Sequence, residues 1–118
     1  GYHLRHIAGS IYRLLTYRQG QMLTDAQKQA AAAESRPTDG ADAEALLTAA
    51  FGAIDRALAE LRAVDPVTLH DARRVGRAQL PSTVFGVLCH VSEHTYRHVG
   101  QFVTTVKIVR GLGLGSEK

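Results

Sequence analysis

Cysteine, proline and tryptophan are scarce in this chain: one Cys, three Pro and no Trp among 118 residues. The lone Cys89 excludes a disulfide framework and a cysteine-rich metal site. It reads as core packing, about 100° around a helix from its neighbour His90. Prolines at 37, 66 and 81 leave long stretches unbroken. With abundant Ala and Leu, those stretches favour helices. No apolar run approaches the ~20 residues of a membrane-spanning helix, and no stretch has the pattern of a secretory signal. A reducing cytoplasm is the expected compartment, without membrane contact. Excess charge is slight, +3 with the histidines neutral. The arginines are scattered and no basic face carries interleaved aromatics, so a nucleic-acid partner is not expected.

Several catalytic motifs are missing too. There is no His-Glu-x-x-His, which argues against a zincin-type protease. Glu93 is followed three residues on by Tyr96 rather than His, which argues against a di-iron bundle. No Cys-x-x-Cys-His for covalent haem, no glycine-rich phosphate loop and no nucleophile elbow occur.

Helical periodicity is what remains. In YHLRHIAGSIYRLLTYRQG, Leu4, Ile7, Ile11, Leu14 and Leu15 form an apolar stripe. A polar line of His3, His6, Ser10, Arg13 and Tyr17 borders it, and Gly20 suits a left-handed cap. Thr24-Asp-Ala-Gln27 is a capping box for a short Ala-rich helix ending near Glu34, read as peripheral. SRPTDG, residues 35–40, is a turn. Residues 41–64 form a second long helix with Asp39 as N-cap and Asp42 in its first turn. Its core face is read as Leu46, Leu47, Ala50, Ile54, Ala57, Leu58 and Leu61. Residues 66–81 show no sustained period beyond a turn of helix around 69–74. The segment is long for a bundle connection and suits a cover over an opening. Ser82 is read as the cap of a last helix reaching Gly111, with Val84, Val87, Leu88, Val91, Phe102, Val106 and Val109 on a wide apolar surface. The fold class is therefore all-α, a single-domain helical bundle over residues 1–118.

The last helix carries HVSEHTYRHVGQ, residues 90–101. Taking His94 as zero, His98 and His90 lie about 40° to either side, and Gln101 and Val87 within about 20°. The ladder thus shares a face with part of the apolar stripe. Buried imidazoles need partners for both ring nitrogens, so three on one face are costly unless something uses them. An i, i+4 histidine pair chelates one metal ion, and a third ligand must come from another helix. His6 and His3 both border the core face of the first helix, and spacing does not choose between them. Three imidazoles around a divalent ion leave open positions, as in catalytic sites. His70, in the long connection, reads as exposed.

HLRHIAGSIYRLL and VLCHVSEHTYRHVGQ together resemble the DinB/YfiT-like superfamily of metal-binding four-helix bundles. The resemblance spans most of the chain. It implies an up-and-down bundle with three His ligands. His6 of HIAGS would be the first, with His94 and His98 before Gly100-Gln101 as the other two. His90 would stand behind the ligands or face the substrate, Gln101 would support the site by hydrogen bonding or pack at the helix interface, and Arg97 would lie behind the site where many relatives have a further histidine. Gly100 would allow a close helix approach. The helix that normally precedes HIAGS is missing from this chain. The expectation is either a truncated chain or a homodimer in which a partner chain fills the gap.

The function that the resemblance implies is a metal-dependent enzyme, with Zn or Ni as the expected ion. Thiol-dependent S-transferase or isomerase chemistry leads, using a low-molecular-weight thiol such as mycothiol or bacillithiol. Its carboxylate would be held by Arg97, Arg73 or Arg77. A hydrolase using metal-activated water, and a non-enzymatic stress-linked or damage-inducible metal-binding protein, are the alternatives.

Overall fold

The computed structural model describes residues 1–37, 40 and 42–114. The chain is mostly helical, with one small antiparallel hairpin. Helix α1, Tyr2–Arg18, is central and packs on both α3, Ala43–Ala63, and α4, Val84–Gly111. The expected stripe of Leu4, Ile7, Ile11, Leu14 and Leu15 is buried throughout. Burial of each such side chain contributes about 1.5–3 kcal/mol before chain entropy is charged against it.

Helix α1 ends as its sequence requires. Gly20 takes φ +77°, a left-handed conformation that costs glycine no steric penalty. The Gly20 amide donates to the Tyr17 carbonyl and the Gln21 amide to Thr16, the paired bonds of a Schellman motif. Helix α2, Asp25–Ala33, opens with the reciprocal Thr24–Gln27 capping box. None of its residues is buried, in keeping with a peripheral helix.

Helix α3 keeps part of its expected core face: Ala50 is buried, and Leu46, Ile54 and Ala57 pack against the core. Asp42 caps it, accepting from the Glu44 amide at 3.1 Å, whereas Asp39 lies outside the described residues. Only Ala50 and Ala53 are buried, while Leu47, Leu58 and Leu61 are 37–50% exposed. The helix packs on the core through Ala50 and Ala53, with Leu46, Ile54 and Ala57 partly buried beside them. Leu58 and Leu61 instead line an apolar groove with Leu88 and Val91 of α4, floored by Ile11 and Leu15.

The segment expected to be irregular holds a 3-10 turn, Pro66–Thr68, and a hairpin of β1, Ala72–Val75, and β2, Leu80–Thr83. Val75 pairs with Leu80 around residues 76–79, where Gly76 has φ +77° and Gln79 φ 51°. Four-residue strands are too short to display a period, which is why the sequence hid them. The hairpin is tied to the bundle by Arg73, whose Nε donates to the Arg18 carbonyl at the end of α1. It also satisfies the start of α4: the Asp71 and Leu69 carbonyls accept from the Val84 and Phe85 amides.

The cap of α4 is Thr83, not Ser82. Thr83 Oγ1 accepts from the Gly86 amide at 3.0 Å, because ending β2 in extended conformation sets that side chain over the first turn. Val84, Val87 and Val91 are buried beyond it. Cys89 faces solvent rather than the core.

Thr83→Ala is expected to cost about 1 kcal/mol, and Ser82→Ala to stay within about 0.5 kcal/mol. Urea denaturation of both variants checks this; the reverse order would restore Ser82 as the cap.

Candidate metal centre

Antiparallel packing of α1 against α4 brings the two histidine sets together. His3 meets His98 with Nδ1 atoms 3.2 Å apart, and one turn along His6 Nε2 lies 3.4 Å from His94 Nε2. His6, His94 and His98 each offer one ring nitrogen, all within 4.8 Å of one another. Their rings converge, with centroids 4.4 Å apart for His6–His98 and 4.5 Å for His94–His98. Nitrogens held tetrahedrally at about 2.0–2.1 Å from a zinc ion stand about 3.3–3.4 Å apart, so the His6–His94 separation matches one edge of such a site.

The charge state of the donors also fits a cation. His94 is held down to about pKa 4, first by desolvation and then by the neighbouring His98 and His6. His98 is lowered for the same leading reason, burial, with His6 and His3 adding to it. Both rings therefore keep free lone pairs at neutral pH, as a metal ligand requires. His94 Nδ1 is buried without a hydrogen-bond partner among the described residues. Its ring contacts are with His6, His98 and, edge-on, His90.

The residue that sequence reading missed is Glu34, just after α2. It is buried, and its Oε2 accepts from His6 Nδ1 at 2.8 Å. That bond fixes the tautomer and leaves His6 Nε2 free to face the cluster, the carboxylate–histidine arrangement found behind many metal ligands. Arg13 grips the same carboxylate through both terminal nitrogens and balances its charge. Gly9 makes the seat possible, since a Cβ there would overlap Glu34 Oε1 and crowd Arg13. No sequence signal marks Glu34, because it follows an Ala-rich run with no period of its own. Gly9, inside HIAGS, was the visible trace of the close approach.

Other expected residues separate. Tyr2 stacks on the His6 ring at 5.2 Å. His3 is not in the triad but supports His98: if His98 Nδ1–H donates to His3 Nδ1, His98 Nε2 is left free. His90 is exposed, with its ring 5.8 Å from His94, and both line a half-open cleft of about 740 Å³ beside the cluster. Arg97 is exposed and pairs with Glu93 at 3.1 Å, reaching the cluster only through its charge. Gln101 is exposed, and no hydrogen bond joins its side chain to the described histidines; its carbonyl accepts from Thr105 one turn on. Gly100 has nothing near its Cα on the side where a Cβ would stand, so no helix approaches it closely. His70 is exposed as expected.

No family model matches the chain, and no curated protein or solved structure matches it.

Glu34→Gln and Gly9→Ala are each expected to weaken zinc binding about 10–100-fold by loosening His6. Competition with a chromophoric chelator measures it, and unchanged affinity in both would remove Glu34 from the site. The metal-free protein should also lose stability as pH falls from about 6.5 towards 4. In that window the unfolded chain takes up a proton at His94 while the folded chain does not until about pH 4. His94→Gln should flatten that part of the profile of Tm against pH.

Proposed function

We propose that this chain is a divalent-metal enzyme of the DinB/YfiT-like bundle type, acting with a low-molecular-weight thiol. His6, His94 and His98 would hold the ion. The convergence of these three imidazoles from two helices is the observation that carries the reading. The buried carboxylate behind His6 and the cleft alongside the cluster support it. An imidazole-only donor set suits zinc or nickel. A bound ion would supply Lewis acidity that favours the ionised form of a thiol or a water beside it.

The chain's own residues do the rest. Glu34 holds His6 through Nδ1, Tyr2 covers the His6 ring, and His3 steadies His98. His90 opens onto the same cleft and carries no ion-pair partner among the described residues. It is the group to take up the thiol proton at an imidazole nitrogen. Leu14, Leu23 and Val75 form an apolar wall that limits water around the reacting sulfur.

The purified protein is expected to bind one zinc or nickel ion per chain, and His94→Ala or His98→Ala to abolish that stoichiometry. Metal retained by both variants would disprove the three-histidine assignment. With metal bound, conjugation of a model electrophile should depend on an added thiol. His90→Gln should lower the rate roughly 10²-fold at neutral pH while metal content stays unchanged. Ester cleavage without thiol would instead identify a hydrolase.

A further inference from the structure

The cleft beside the histidines has a consistent charge. Arg13, Lys28 and Arg77 line it, and among the described residues no Asp or Glu does. Arg13 is neutralised by its fork onto Glu34. Lys28 has only a loose pairing with Asp25, at 3.9 Å across an exposed helix surface. Such pairs are worth little in water. Arg77 has no ion-pair partner among the described residues. Gly76 with φ +77° and Gln79 with φ 51° form the tight turn that carries it at the hairpin tip. Arg77, unpaired among the described residues, and the weakly paired Lys28 therefore stand at a cleft whose remaining wall includes Leu14, Met22, Leu23 and Val75.

The other two arginines considered for ligand binding are occupied. Arg73 is spent on the Arg18 carbonyl and its own strand, through Nε to Arg18 and Nη1 to Ala72. Arg97 lies on the outer face of α4 in its pair with Glu93. Arg77 alone of the three faces the cleft.

We infer that this cleft binds a small organic carboxylate, its acid group held by Arg77 with Lys28 and its apolar body laid on Leu14, Leu23 and Val75. An anion is favoured because it answers an unpaired Arg77 and a loosely paired Lys28 in a concave site that no Asp or Glu lines among the described residues. Arg77 offers a planar fork matched to a carboxylate. An apolar body is favoured by the aliphatic wall. The inference deepens the metal-enzyme reading by naming the class of ligand, and it rests on that reading only for which end of the ligand reacts.

The test uses the full chain, stripped of metal and desalted, titrated with 4-phenylbutyrate, 4-phenylbutan-1-ol and 4-phenylbutylamine. Binding is followed by NMR at the Met22 methyl and the Leu23 and Arg77 amides. The carboxylate should bind about tenfold more tightly than the alcohol, and the amine more weakly still. Arg77→Gln should remove most of that preference, Arg77→Lys should keep part of it, and Arg77→Gln with Lys28→Gln should abolish it. Alcohol binding should be unchanged in all three. Equal binding of the three probes, or shifts confined to the Leu58–Leu61–Leu88 groove, would overturn the inference. So would a carboxylate preference that survives the double substitution. Zinc stoichiometry is measured on the same samples. A charge preference in the metal-free chain stands whether or not zinc binds, so the two readings fail separately.

Discussion

The site depends on one buried carboxylate. Glu34, with its side chain 10% exposed, lies between the imidazole of His6 and the guanidinium of Arg13. A carboxylate taken out of water so far is costly unless its oxygens are answered. Here both are: Oε2 by His6 and Arg13, and Oε1 by Arg13. The same contact has a second effect. Helix α2 buries none of its own residues, so its position relies on polar ties at its ends. Gln27 donates to the Thr16 hydroxyl at 2.9 Å near its start, and Glu34 reaches His6 and Arg13 just beyond its end. Orienting the His6 imidazole and docking a helix are thus one interaction, and disturbing either disturbs the other.

Helix α1 makes this economical. Its apolar stripe is the core of the molecule, and the adjoining line of His3, His6, Ser10 and Arg13 faces α4 and Glu34. With about 100° per residue, both lines run the length of the helix, so each turn that anchors the core also aims a site residue. The histidines inherit the rigidity of the best-buried element. Gly9 sits where the two demands meet, since the carboxylate fills the space a side chain would take.

What was legible in the sequence follows the same logic. The α1 stripe, the Gly20 cap, the Thr24–Gln27 box and the extent of α4 are local, periodic signals, and all were readable. So was the meeting of His94 and His98 on one face; His6 over His3 came from a resemblance, and the geometry groups His6 with the pair. What was hidden depends on partners distant in sequence. Glu34 has meaning only once α2 folds back onto α1. Leu58 and Leu61 looked like core, but α3 packs through Leu46, Ala50, Ala53, Ile54 and Ala57 and leaves them half exposed. Cys89 and Gly100 looked inward on a helix assumed to be covered on more sides than it is. The hairpin was too short to leave a period, although the opening it was expected to cover is there.

The distribution of burial suggests how the site divides its work. The histidines stand on α1 and α4, whose packing fixes them to the precision that a metal ion demands. Lys28 and Arg77 come from α2 and the hairpin turn, elements held mainly by hydrogen bonds rather than buried area. Local opening requires little free energy where few apolar contacts must be broken. The cleft can therefore adjust its cationic wall around a ligand without moving the imidazoles. The exception is Glu34, which links the adjustable α2 to the fixed His6. A ligand that draws Lys28 inward pulls on the helix whose end holds the His6 tautomer. If the cleft takes an anion and the histidines a cation, the two would be coupled through that carboxylate, and by linkage the coupling would be the same in both directions.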